Sequence, residues 1–160
     1  CAGGGGKALA FADIYDAKVF AHDIAPQRMR DLPARAERAG VTITPVATAQ
    51  VTQKGPYDVV FCDAPCSGSG TWRRTPDAKW NLTSERLKAL QAMQDKVLDA
   101  AAPLTNGTLA YATCSILAEE NRDTISRFLT SDPTWSIIDQ YQRIPDENGD
   151  GFYLCVMMQK

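Results

Sequence analysis

Two cysteine-centred strings could do chemistry in this chain: Asp63-Ala-Pro-Cys66-Ser-Gly-Ser-Gly70 and Tyr111-Ala-Thr-Cys114-Ser115. Each follows a short apolar run that reads as a buried strand, Tyr57 to Cys62 for the first and Thr108 to Ala112 for the second. A strand that stops at a small-residue turn delivers its last side chains to one edge of a sheet. In open α/β folds that edge is where ligands bind. Two such edges, each with a cysteine, place two thiols on one pocket, and a thiolate is a nucleophile. Asp63 adds a carboxylate at a buried strand end, a position that costs several kcal/mol unless the charge is paired. Taken singly, Asp63 also reads as a turn cap and Cys114 as a small core residue. The pair of strings is much harder to explain as packing.

Three further features are candidates. Cys1-Ala2-Gly3-Gly4-Gly5-Gly6-Lys7 leads into a helix, so its backbone N–H groups and the helix N-terminus can approach a ligand closely. A flexible tail with an ordinary first-turn lysine is the competing account. Asp23 lies just past the second strand, where nucleotide-binding folds use an acid to accept hydrogen bonds from ribose hydroxyls; a plain helix cap serves equally well. The connection from Ala64 to Thr83 is unusually long and holds Trp72, Arg73, Arg74, Asp77, Lys79 and Trp80. Aromatic rings beside guanidinium groups can stack on bases and contact phosphates, although Trp80 could simply anchor the loop.

The elements that must position these residues follow in order. Lys7 to Asp13 reads as helix, Ala17 to Ala21 as strand, and Pro26 to Ala39 as helix with Gly40 as its stop. Val41 to Val46 is the next strand, followed by a polar loop to Gly55-Pro56. After the first cysteine string, Ser84 to Ala102 has helical period through Leu87, Leu90, Met93, Val97 and Leu98. Asn106-Gly107 turns the chain into the strand Thr108 to Ala112. Glu119 to Thr130 is helix with Ile125, Phe128 and Leu129 on one face, and Trp135 to Ile138 and Phe152 to Met158 are strands. Strand and helix alternate almost throughout, which predicts an α/β fold with a doubly wound, mostly parallel sheet. A glycine loop that opens a helix normally follows a strand, and none precedes Cys1. The expected single domain over residues 1–160 is therefore N-terminally truncated, with its central first strand missing from the chain.

The bulk numbers exclude several classes. At 160 residues, 44% hydrophobic and 22% charged, the composition is ordinarily globular. No apolar run approaches the roughly 18 residues of a membrane span, and Cys1 to Gly6 is not the basic-then-apolar segment of a signal peptide. The net charge of −2 gives no strong footprint for nucleic acid, and Arg28, Arg30, Arg35 and Arg38 read as a solvated helix face. Five cysteines with no CxxC pair and one distant histidine, His22, make a metal site improbable and fit reduced thiols in the cytoplasm.

The string Phe61-Cys-Asp-Ala-Pro-Cys-Ser-Gly-Ser-Gly-Thr-Trp-Arg-Arg-Thr-Pro-Asp-Ala-Lys-Trp80, together with Tyr111-Ala-Thr-Cys-Ser-Ile-Leu-Ala-Glu-Glu-Asn121, resembles the RNA 5-methylcytosine methyltransferases of the Fmu/Sun/RsmB group. Cys1 to Lys7 resembles that family's S-adenosylmethionine loop, and Gly149-Asp-Gly-Phe-Tyr-Leu154 its closing motif. The resemblance covers nearly the whole chain in order. It implies a Rossmann-like methyltransferase fold with a reversed last strand. It makes Cys114 the nucleophile, Cys66 the partner that helps release product, and Asp63 the residue that holds the cytosine edge near the methyl donor. Cys1, Ala2, Gly3, Gly4, Gly5, Gly6, Lys7, Asp23 and Asp63 would then bind the cofactor, S-adenosylmethionine. The departures are glycine at Gly4 where the family usually has proline, no acidic residue in Val46-Ala47-Thr48-Ala49, and Arg122 where a second glutamate is common.

The implied partner is RNA, with small-subunit ribosomal RNA the expected target, an RNA-binding domain upstream and no membrane. Two other schemes remain open. In DNA-type cytosine methylation the proline-cysteine motif carries the nucleophile, which would be Cys66. A catalytically weak RNA-binding or ribosome-assembly module could also keep the fold.

Overall fold

The computed structural model describes residues 1–15 and 17–160. The chain divides into two units, Cys1–Gly55 and Pro56–Lys160.

In the first unit the glycine run opens helix α1 (Gly6–Tyr15). Strand β1 (Val19–Ala21) pairs in parallel with β2 (Ile43–Pro45), in register Val19 to Ile43. The helix expected over Pro26 to Ala39 is two pieces, a 3-10 turn at Pro26–Met29 and α2 (Leu32–Ala39). Pro33 is the reason: it has no N–H for the carbonyl of Met29, and its ring crowds the preceding turn. Gly40 ends α2 in the left-handed conformation at φ 68°, as expected of a helix stop. The polar stretch expected to be loop instead forms α3 (Thr48–Lys54). It buries no residue, so it has no apolar stripe by which periodicity could reveal it. Leu32, Met29 and Ala21 form the unit's small core, with Ala2, Leu9 and Ile43 packed against it.

The second unit is built on a four-stranded sheet in the order β3-β4-β6-β5. Strand β3 (Tyr57–Asp63) and β4 (Thr105–Thr113) run parallel, with Cys62 opposite Tyr111 and Asp63 opposite Ala112. Between them lie the short helix α4 (Asp77–Trp80) and α5 (Ser84–Ala101), whose N-cap Thr83 accepts a hydrogen bond from the Arg86 N–H at 3.2 Å. Helix α6 (Arg122–Ser131) leads to β5 (Trp135–Arg143), and β6 (Phe152–Gln159) returns antiparallel between β4 and β5. The last strand is thus reversed, as expected.

The strands do not form one continuous ladder. Strand β1 pairs with β2, and β3 with β4, in separate sheets. Other expectations shift in detail. Strand β4 begins at Thr105 and runs straight through Asn106-Gly107, where a turn was expected. The register irregularity between Tyr57 and Val59 on β3 absorbs the mismatch. Strand β5 continues five residues past Ile138 because β6 pairs with it as far as Arg143 opposite Phe152. Glu119 and Glu120 belong to a 3-10 turn, Ala118–Glu120, that precedes α6.

Helix α5 presents Gln94, Leu98 and Ala101 to the core and leaves Met93 exposed, a rotation from the face read off its apolar residues. Leu98, Leu109, Tyr111, Ile125, Trp135 and Met157 are all buried in one cluster. Truncating Leu98, which is fully enclosed, to alanine should cost about 2–5 kcal/mol. Met93→Ala should fall within about 0.5 kcal/mol of the parent. Urea denaturation of the two variants checks the assigned face, and equal losses would refute it.

Candidate active site

Parallel strands end at the same edge of a sheet, so the loops after Asp63 and Thr113 begin side by side. The Ala64 N–H donates to the Ala112 carbonyl at 2.9 Å, extending the ladder one step past the end of β3. The chain then delivers Cys66 and Cys114 with their Sγ atoms 3.5 Å apart, both half-buried. The hydrogen bond to Cys114, then burial, pushes the Cys66 thiol well above its ordinary range. The two thiols are within hydrogen-bond reach of each other, and either can be the donor. Cys62 and Cys155 are buried core thiols, pushed by burial up to about 12 and about 11, and Cys1 is exposed.

Hydrogen bonds tie the two cysteine loops together. The Glu120 carboxylate, fully buried, accepts from the Ser67 N–H at 2.8 Å, the Ser67 hydroxyl at 2.5 Å, the Ser115 hydroxyl at 2.6 Å and the Gln94 side-chain amide at 3.0 Å. The Asn121 amide donates to the Ser115 carbonyl at 2.9 Å, while its oxygen accepts from the Thr113 hydroxyl at 2.6 Å. Ser69 Oγ accepts from the Ile116 N–H at 2.9 Å and lies 2.9 Å from Ser115 Oγ. Sequence reasoning assigned no role to any of these residues. The signal was present: a serine follows each cysteine, and an acid-amide pair follows the second string.

Gly70 stitches a third segment to the first two. Its N–H donates to the Cys114 carbonyl at 2.9 Å, and its own carbonyl accepts from the Gly151 N–H at 2.8 Å. A Cβ at this position would sit 2.7 Å from the Gly151 oxygen and 2.8 Å from the Cys114 oxygen, both backbone atoms that cannot swing away. Asp150, beside Gly151, pairs with Arg74 at 2.5 Å and Arg73 at 3.6 Å. Trp80 does not anchor the long connection: it is 81% exposed, with the Lys79 ammonium 5.6 Å from its ring centre.

In the first unit the Ala2 N–H donates to the His22 carbonyl at 2.8 Å and the Gly5 N–H to the Ala2 carbonyl at 2.9 Å, folding the glycine run into a turn. Gly5 has φ 78°, and a Cβ there would meet Leu32 Cδ1 at 2.2 Å, so only glycine fits. Gly4 gives its carbonyl to the Arg35 guanidinium. Asp23 is buried and accepts from the Gly3 N–H at 2.9 Å and the Ala25 N–H at 3.0 Å, with Arg28 at 3.9 Å. Burial works to raise its carboxyl, but the hydrogen bonds from Ala25 and Gly3 outweigh it and hold the group below the usual carboxylate range. The structure thus brings Asp23 onto the loop Cys1–Lys7, and Asp63, Cys66 and Cys114 onto one sheet edge. Among the described residues no three His, Cys, Asp or Glu side chains gather into a metal-holding set.

This geometry has known counterparts. A protein designated PH0851 superposes on 99% of this chain with a TM-score of 0.88 at 27% identity, the match covering 41% of that chain. NSun6 from Pyrococcus horikoshii, solved with SFG, superposes on 99% of this chain at TM-score 0.83 and 20% identity, over 46% of its own length. The fold is that of the S-adenosylmethionine-dependent methyltransferases. The sequence profile described as 16S rRNA methyltransferase RsmB/F matches residues 1–157, and the chain belongs to that family. Ribosomal RNA small subunit methyltransferase B of Salmonella agona (strain SL483) is 36% identical over all of this chain. The chain spans 41% of the length of that relative.

Two outcomes follow from the site's geometry. Gly70→Ala should destabilise the protein by about 1–3 kcal/mol, because backbone has to move; an unchanged urea midpoint would contradict the close approach. Because the contact with Cys114 and burial raise the Cys66 thiol, iodoacetamide at neutral pH should label Cys114 first. Labelling of Cys66 should grow only as pH rises well past the ordinary thiol range of about 8.5. Peptide mass spectrometry across a pH series reads the order, and Cys66 leading would reverse the assignment.

Proposed function

We propose that this chain carries the catalytic residues of an S-adenosylmethionine-dependent RNA (cytosine-5) methyltransferase that acts on small-subunit ribosomal RNA in the cytoplasm through a covalent cysteine adduct. The observation that carries this reading is the 3.5 Å separation of the Cys66 and Cys114 sulfurs at the end of two parallel strands.

The cofactor-binding residues proposed in the first unit fit such a group. Nothing lies within 4 Å of where a Cβ would stand at Gly3 or Gly6, so the turn leaves backbone open to a ligand at the start of α1. Asp23 is held ionised and is therefore an acceptor, suited to sugar hydroxyls; its hydrogen bonds from the Gly3 and Ala25 N–H groups leave lone pairs for them. S-adenosylmethionine, when bound, supplies an electrophilic methyl group.

The remaining chemistry belongs to the chain. Carbon 5 of cytosine is a poor nucleophile, and Cys114 corrects this by adding its sulfur to carbon 6, which moves electron density onto carbon 5. Asp63 holds the ring nitrogen and exocyclic amino group of the base while charge builds there. After methyl transfer a water molecule takes the carbon 5 proton, the electrons of that C–H bond re-form the carbon 5–carbon 6 double bond, and the Cys114–carbon 6 bond breaks, its electrons returning to sulfur. Cys66 supports that last step: its protonated thiol faces the departing sulfur and stabilises it as a thiolate. The base must leave its stack to reach the two cysteines.

The two thiols should fail differently. Cys114→Ala in the full-length protein should form no adduct and transfer no methyl group. Cys66→Ala should still attack but release slowly, so protein accumulates crosslinked to its RNA. Denaturing gels of each variant with ribosomal RNA and labelled cofactor separate the schemes. RNA trapped by the Cys114 variant would make Cys66 the nucleophile, and activity in both variants would reduce the thiols to core residues.

A further inference from the structure

The Glu120 carboxylate takes four hydrogen bonds. It is fully buried. Burying a carboxylate costs several kcal/mol unless its lone pairs are met. Here the four hydrogen bonds come from neutral donors: Ser67 N–H and hydroxyl, the Ser115 hydroxyl and the Gln94 amide. A carboxyl group has room for about four hydrogen bonds. Glu120 thus spends its full capacity on two loops and one helix.

The residues it holds are telling. Ser67 directly follows Cys66, and Ser115 directly follows Cys114. One carboxylate therefore fixes the neighbour of each thiol, Oε1 and Oε2 sharing Ser67 while Oε2 takes Ser115. Gln94 extends the hold to the Pro65 carbonyl at 2.9 Å, on the other side of Cys66. The backbone of Glu120 is fixed in turn, because the buried Tyr111 hydroxyl donates to its carbonyl at 2.7 Å. A leucine would fill such a space without desolvating a charge.

We propose that Glu120 is a positioning residue that sets the Cys66 and Cys114 sulfurs against each other, so that one thiol can serve the other's departure. This rests on the two-thiol reading of the site, but the geometric claim can be tested without turnover. Phenylarsine oxide joins two neighbouring thiols: two As–S bonds form, and the two thiol protons leave with the oxide oxygen as water. In full-length protein the parent should capture it through Cys66 and Cys114, with Cys66→Ser giving the background.

Glu120→Ala should weaken capture at least about tenfold, the equivalent of 1.4 kcal/mol. It should also lower kcat on RNA by about 100-fold with KM little changed, as expected when reacting groups drift by an ångström. Glu120→Gln keeps an acceptor for the Ser67 N–H and Gln94, and the serine hydroxyls can rotate to accept from its amide. It should restore most of the capture and rate, with an unchanged pH profile. A profile that loses one limb in Glu120→Gln would make the group a proton carrier and overturn the proposal. So would full-strength capture by a folded Glu120→Ala. If Glu120→Ala does not fold, Ser115→Ala removes one of the four bonds and decides the matter: intermediate capture supports the proposal and undiminished capture refutes it. Parent protein that captures the arsenical yet never methylates RNA would refute the proposed function while leaving the role of Glu120 standing.

Discussion

The parallel pairing of β3 with β4 is the constraint on which the rest of the second unit depends. Two strands that run the same way and end together put two loops at one edge, whatever their sequences. A one-residue slip would turn Asp63 from one face of the sheet to the other, because side chains alternate. The slip is prevented on both sides of β4. Leu109 and Tyr111 are fully enclosed in the core, and β6 pairs with the same strand from Thr108 to Thr113. Given that register, the separation of the thiols is decided by the loops alone, and there Gly70, Asn121 and Glu120 act together.

The five cysteines show how strongly surroundings govern one functional group. Cys62 and Cys155 have apolar neighbours and thiols pushed far above neutrality, which makes them inert packing. Cys66 is also raised, but with a hydrogen bond from one thiol to another as the largest cause. A proton held by a neighbouring sulfur is available to that sulfur, whereas a proton held by desolvation is available to nothing. Chemistry separates from packing at that point, and position along the chain does not reveal it: Cys62 and Cys66 are four residues apart.

Much of this was legible in the sequence, for reasons that also explain the rest. Strand ends rich in small residues announced both cysteine loops, and Gly40 announced the end of α2. The paired thiols were readable because chemistry demands residue types that packing does not. What escaped was set by distant partners. Strand β5 is long because β6 lies beside it, and Met93 faces solvent because Gln94 is drawn inward to Pro65 and Glu120. Helix α3 has no apolar stripe to show itself. Pro33 was visible, yet the break it imposes in the helix was read as continuous. Glu120 carries no such signal, since in sequence the pair Glu119-Glu120 looks like solvated first-turn acids of the helix that follows.

The place of β6 has a consequence for how the protein is made. Strand β4 lies between β3, which precedes it in the chain, and β6, which follows β5. A ribosome synthesising this chain delivers both cysteines long before Phe152–Gln159, and before Gly151, whose N–H closes onto Gly70. Until then β4 has one open edge, β5 has no neighbour in its sheet, and the long connection lacks Asp150 to hold its arginines. The thiols exist early, but the frame that seats them is complete only when the last of these strands has been threaded between two already made. The nascent chain therefore carries both reactive sulfurs before it has the structure that aligns them.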